Sequence, residues 1–217
     1  KSLYQDIGIS RYIYVCYPPV YPCVSAFVIA LFGPKLAALR FMTLFFELVI
    51  LGLVYRILRV EKVPRANALL VVSFLAGIYS VIKFHGLARV DFLMLVCALG
   101  ALHLLQLELR CPRRWRFVAL VLVVAVAGLT KPTAMVSLAG VGAFLLIRSV
   151  WAAEGRAAAR RGWGALALGA LLYGLCFFAL NMVTHGNFLR NTFEYEAING
   201  LNPAWQAMSP FVRLYRF

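Results

Sequence analysis

Residues 36–56 read LAALRFMTLFFELVILGLVYR, and only Arg40, Glu47 and the closing Arg56 carry charge. An α-helix needs about 20 mainly apolar residues to cross the ~30 Å hydrocarbon core of a bilayer. This stretch meets that length. Comparable apolar blocks lie on either side of it, at 18–33, 66–82, 91–107, 117–130, 134–150 and 163–184. Turn-like or basic breaks separate them: Gly33-Pro34-Lys35, Arg56 to Arg65, His85 to Arg89, Arg110 to Arg116, Thr130 to Thr133, and Arg156 to Arg161. The last of these reads as a short solvated connector. The pattern predicts an all-α, polytopic transmembrane bundle.

Composition agrees. Hydrophobic residues make up 63% of the chain and charged residues 14%, against about 25% charged in an ordinary soluble domain. The formal net charge is +14. In a soluble protein that would point to nucleic acid. Here the basic residues cluster in short loops, which excludes nucleic acid as a partner and assigns the charge to topology and anionic lipid headgroups. The five cysteines, Cys16, Cys23, Cys97, Cys111 and Cys176, form no CxxC pair and read as small buried residues.

The loops also orient the chain. Those holding Arg56, Arg59, Lys62 and Arg65, then Arg110, Arg113, Arg114 and Arg116, then Arg148, Arg156, Arg160 and Arg161 are rich in cations. The alternate loops hold Lys83 and Arg89, Lys131, and Arg190. If every block from 36 onward spans, all the rich loops fall on one side, which the positive-inside rule makes cytoplasmic. Block 18–33 is short and opens with Pro18, Pro19 and Pro22. It follows a tyrosine-rich loop, so it reads as an interfacial or re-entrant helix on the outer face, with a short tilted span as the alternative. The layout is then one domain over 1–217: a first outer loop with its interfacial helix at 1–35, about six spans over 36–184, and a further outer loop at 185–217. The chain opens at Lys1 in what reads as a loop already in progress and stops at Phe217 in similar sequence. It is therefore expected to be a piece of a longer protein, truncated at both ends and inactive alone.

The outer segments carry the mixed chemistry. Asp91 opens an apolar block, either as a helix N-cap or as a carboxylate held at the membrane surface. Arg89 sits two residues before it, placed to pair with it or to hold a phosphate. Lys131 ends the short block 117–130, where Pro132 stops the helix. Its ammonium either snorkels to the surface or meets a lipid phosphate at that depth. Glu47 is an acid inside a span, a functional candidate or a hydrogen-bonded structural one. His85 or His185 either is a lone surface histidine or joins Asp91 around a divalent metal, and His103 reads as structural. Gly169 and Gly174 read as close-packing positions between helices. No HExxH, P-loop or GxSxG signature is present.

Several of these stretches, in order, resemble the polytopic GT-C glycosyltransferases, nearest to the protein O-mannosyltransferases, the aminoarabinose transferases and bacterial lipid-linked sugar transferases. They are Leu3-Tyr4-Gln5-Asp6 with Tyr17-Pro18-Pro19-Val20-Tyr21, Leu31-Phe32-Gly33 with Ala38-Leu39-Arg40, Ala88-Arg89-Val90-Asp91, Leu129-Thr130-Lys131-Pro132-Thr133, and Gly186 through Tyr195. The resemblance covers nearly the whole chain and rests on order and spacing.

It implies an inverting transfer of a sugar from a polyprenyl-phosphate carrier to a glycan, lipid or protein acceptor on the periplasmic or outer face of a bacterial inner membrane. By resemblance, the main catalytic Asp lies upstream of Lys1, and Asp91 is the second outer-loop acid. Lys131 and then Arg89 meet the lipid phosphate, while Tyr17, Asn191 and Glu194 contact substrate. Whether a divalent metal takes part stays open, and no other cofactor is implied. Two other classes stand beside this one: a transporter or lipid flippase, with polar residues at mid-membrane, and a non-catalytic membrane subunit.

Overall fold

The computed structural model describes residues 18–77, 90–151, 156–189 and 192. Among the described residues every regular element is helical and there is no strand. The chain divides into two compact units, one comprising Pro19–Leu175 and the other Lys1–Pro18 with Cys176–Phe217.

Helix α1 spans Val20–Phe32, with Pro19 as its N-cap in helical geometry. Proline suits that position because the first helical N–H groups lack an intrahelical partner. The helix ends at Gly33, whose φ of 80° is the left-handed region that glycine tolerates without a Cβ penalty. Its 13 residues rise about 20 Å, too little to cross a bilayer core. Lys35, in extended geometry, caps helix α2, Leu36–Val60.

Helix α2 outlasts its apolar block. Arg56 and Arg59 lie on its last turns rather than in a loop, because Arg and Leu propagate a helix well and the first breaker is Pro64. Helix α3 covers Arg65–Gly77 and helix α4 Val90–Arg110. Helix α5 covers Arg114–Thr130 and helix α6 Ala134–Trp151. Helix α7 runs Arg156–Val183 and begins earlier than expected. The Arg156–Arg161 stretch is helical, not a connector, because its alanines are the strongest helix formers. A three-residue helix α8, Asn187–Leu189, follows.

Among the described residues three helices are long and apolar enough to cross a membrane: Leu36–Val60, Val90–Arg110 and Ala157–Val183. Helices α3 and α6 are apolar but shorter, and α5 has 17 residues, rising about 25 Å. The outward faces are those of a lipid-facing protein. Phe41, Phe45 and Leu48 of α2 and Leu168, Leu171 and Leu175 of α7 recur at helical spacing and are all exposed.

In the larger unit α4 is the central helix, packed against α2, α5 and α6. Its Leu93, Cys97, Ala101 and Leu105 meet Met42 and Phe46 of α2, Leu120 and Val124 of α5, and Leu138 and Leu145 of α6 in one core. The N-terminal part of α7 approaches through small residues. A Cβ on Gly169 would stand 2.6 Å from the Cβ of Val124 and 2.9 Å from the Val121 carbonyl oxygen, so the two backbones are close. Gly128 and Gly162 make the same allowance for Tyr173 and for Leu105 with Leu145. Gly174, expected to do likewise, faces open space. It sits off the packed face, since five residues from Gly169 is more than one turn.

In the smaller unit, Thr184 Oγ1 donates to the Leu180 carbonyl and accepts from the Phe188 N–H, turning the chain after α7. Phe177 packs edge-on against Phe188 there.

Candidate active site

The antiparallel course of the larger unit sorts its polar residues into two layers. The starts of α2, α4 and α6 share one end with the finish of α5. The finish of α2 and α4 shares the other with the starts of α5 and α7.

The first layer is small and holds two of the anticipated residues. Lys131 follows the last turn of α5 and donates its N–H to the Ala127 carbonyl. Pro132 disfavours helical geometry at the residue before it, and Lys131 is accordingly extended. Its carbonyl then accepts from the Ala134 N–H at 2.9 Å, which starts α6. The chain thus reverses over three residues, and the lysine side chain is presented from a turn with a set backbone. Its Nζ lies 2.7 Å from Oδ1 of Asp91, in the first turn of α4. The ammonium is about one-fifth exposed and the carboxylate about two-fifths. One turn along α4, the Met94 sulfur accepts a hydrogen bond from Thr133 Oγ1 at 3.7 Å. Two contacts therefore fasten the α5–α6 link onto the start of α4.

Tyr21 belongs to this layer as well. It lies on α1, half-buried, and packs against the core. Burial pushes its phenol above the usual tyrosine range, the Ser25 hydroxyl pulls it part of the way back, and the Asp91 carboxylate adds to the rise. Tyr21 therefore holds its phenol proton to higher pH than an ordinary tyrosine does.

Sequence reasoning passed over Tyr21, although it closes the Tyr17-Pro18-Pro19-Val20-Tyr21 run. Only the docking of α1 against α2 and α5 brings it to Asp91. A groove of about 770 Å³ between α1 and the first turns of α2 was also missed. Val24, Phe27, Phe41, Met42 and Phe45 line it, with Lys35 at its edge. The signal was present in the two apolar blocks flanking Gly33-Pro34-Lys35.

Of the other anticipated site residues, Arg89, Tyr17, Asn191 and Glu194 lie outside the described residues, as do Asp6 and His85. His185 occupies a left-handed turn after α7, with φ 51°. No group of three His, Cys, Asp or Glu stands close enough to hold a metal among the described residues. Glu47 is half-buried on α2, with Oε2 buried and without a hydrogen-bond partner.

The opposite layer is denser and more cationic. Glu61 accepts from Gln106 at 2.9 Å and lies 3.7 Å from both Arg110 and Arg148. Glu108, fully buried, accepts from Arg161 Nη2 at 2.7 Å and Nε at 2.8 Å, and its other oxygen takes the Arg113 N–H at 2.9 Å. Arg116 donates to the Leu107 and Cys111 carbonyls. The two glutamates tie the ends of five helices together, α2, α4, α5, α6 and α7. All three cation-rich loops contribute to this end.

The family model described as dolichyl-phosphate-mannose-protein mannosyltransferase matches residues 17–173. No curated protein matches the chain, and no solved structure does.

Proposed function

Because this chain belongs to the dolichyl-phosphate-mannose-protein mannosyltransferase family, we propose that its layer of Asp91, Lys131 and Tyr21 serves sugar transfer from a polyprenyl-phosphate carrier to an acceptor outside the cytoplasm. The protein is a mannosyltransferase-like membrane glycosyltransferase, and the finer reading rests on chemistry. An acceptor hydroxyl attacks the anomeric carbon, the bond from that carbon to the carrier phosphate oxygen breaks, and the configuration inverts. The hydroxyl proton passes to a carboxylate, and the departing phosphate needs positive charge.

The observation that carries the reading is the Lys131–Asp91 pair at 2.7 Å. A partly exposed cation stands where the short α5 ends, with an acid fixing its position, and a lipid phosphate at the end of a short span would meet it there. The apolar groove edged by Lys35 suits the carrier's isoprenoid chain, since it is lined almost wholly by aliphatic and aromatic carbon. Arg89, Tyr17, Asn191 and Glu194 are proposed to complete the phosphate and substrate contacts. A divalent metal is compatible with the same acid but is not required by this scheme.

The orientation follows from charge. The cation-rich end faces the cytoplasm of a bacterial inner membrane, and the Lys131 end faces out. Helices α3, α5 and α6 then complete six passes, with α1 lying in the outer interface.

Sugar transfer by the full-length protein is the test. Lys131→Ala and Asp91→Ala should each lower turnover by at least about tenfold. Unchanged activity in both sinks the site assignment.

Glu47 favours a second reading, a transporter or flippase, because its Oε2 is buried without a partner in the body of α2. Carrier-independent solute uptake into vesicles, abolished by Glu47→Gln, would establish that reading instead.

A further inference from the structure

The cation-rich end contains a cavity that the transferase reading does not use. It has a volume of about 400 Å³ and is lined by Tyr55, Arg56, Arg59, Val60, His103 and Leu107. Arg56 and Arg59 are three residues apart and so neighbours on one helix face. Both are exposed. The acids of this end are committed elsewhere. Glu61 faces Gln106, Arg110 and Arg148, and Glu108 is held by Arg161 and the Arg113 N–H. Among the described residues no carboxylate pairs with either arginine of the cavity. Arg59 gives Nη1 to the Val63 carbonyl at 2.6 Å, which steadies the guanidinium and leaves its other N–H groups unspent. Across the cavity, His103 is 9% exposed, with its Nδ1 buried and its imidazole beside the Gln106 side chain.

We propose that this cavity is a phosphate-binding site at the end of the bundle opposite Lys131. Two guanidinium forks and a tyrosine side chain form a donor-rich cluster that suits phosphate oxygens. Val60 and Leu107 give the same cavity an apolar wall, and the arginines sit on the last turns of a membrane-length helix. Both features match an anionic phospholipid headgroup with the start of its acyl chain. The positive-inside rule accounts for cations near a span's end. It does not call for two arginines that line one cavity with an apolar wall and have no carboxylate partner among the described residues.

The test uses the full-length protein, delipidated in detergent. Retention of phosphatidylglycerol and of phosphatidylcholine is measured by native mass spectrometry, and thermal protection by inorganic phosphate is measured in parallel. Arg56→Gln/Arg59→Gln is compared with Arg114→Gln/Arg160→Gln, which removes the same charge from exposed positions outside the cavity. Loss of two charge-assisted contacts should weaken binding by at least about tenfold in the first pair. The second pair should behave as the unsubstituted protein. If phosphatidylglycerol retention shows that difference, the ligand is the lipid. If only protection by inorganic phosphate shows it, the site stands and its ligand is free phosphate. Equal binding of both probes by the two pairs overturns the proposal.

Discussion

The Nζ of Lys131 and Oδ1 of Asp91 are 2.7 Å apart, although 40 positions separate them in the chain. A pair this exposed contributes no more than about 1 kcal/mol to stability, so its value lies in placement. If the lysine acts only where Asp91 holds it, the two residues behave as a unit. In full-length enzyme, Asp91→Asn, Lys131→Met and the double variant should lower kcat/KM by similar factors, each about tenfold or more. Strictly multiplicative losses would show that the two act separately.

Tyr21 gives a titration with a known sign. Its folded phenol ionises above the ordinary value of about 10. A raised pKa means the folded state holds the proton more tightly. The associated stability is complete below the unfolded value and is lost as pH rises through the folded one. Melting temperature should therefore fall as the solution is taken above about pH 10, and Tyr21→Phe should reduce that fall. Tyrosinate absorbance of Asp91→Asn should show the Tyr21 phenol ionising at lower pH, because one of the causes of its rise has gone.

The glycines divide by position. Gly169→Ala should loosen α7 from α5, because its Cβ would meet Val124 Cβ at 2.6 Å. A loss of about 1–3 kcal/mol is expected, as for overpacked cores. Gly174→Ala faces open space and should be neutral or stabilising by up to about 1 kcal/mol. Thermal unfolding in detergent distinguishes them, and equal effects would contradict the packing described.

Glu108 is wholly buried while Arg161 is two-fifths exposed. Arg161→Ala strips the carboxylate of its charge partner and leaves it only the Arg113 N–H. The expected loss is about 2 kcal/mol, below that of a fully buried pair because water can reach the site. Glu108→Gln keeps an acceptor for that N–H and should cost less. The comparison can be made by denaturant or heat.

Orientation has its own reporter. Cys111 is exposed at the cation-rich end and Cys97 is buried in the core. A variant retaining only Cys111 should react with a membrane-impermeant maleimide in inside-out vesicles but not in intact spheroplasts. The reverse pattern would invert the topology.

Helix identity was legible because bilayer crossing imposes a length and a composition that local sequence must satisfy. Residues 36–56 and 91–107 announce themselves without any partner. Helix ends were less legible. Arg56, Arg59 and the Arg156–Arg161 run read as loop because they are charged, yet charge does not break a helix, and the chain stays helical to a proline or to the bundle's edge. Pro132 was legible for the opposite reason, since it removes a backbone donor wherever it occurs.

Asp91 and Lys131 could each be singled out from the residues alone, since an acid and a base stood at the ends of apolar blocks. Their pairing could not, because a 2.7 Å contact depends on how α4 and α5 pack. The same holds for Tyr21, for the groove beside Lys35 and for the cavity around His103. Local chemistry was enough to decide that this chain is a bundle of apolar helices with its cations gathered toward one end. Which polar groups meet, which glycines are needed and where cavities open were decided by packing, because these depend on distances between residues far apart in the chain.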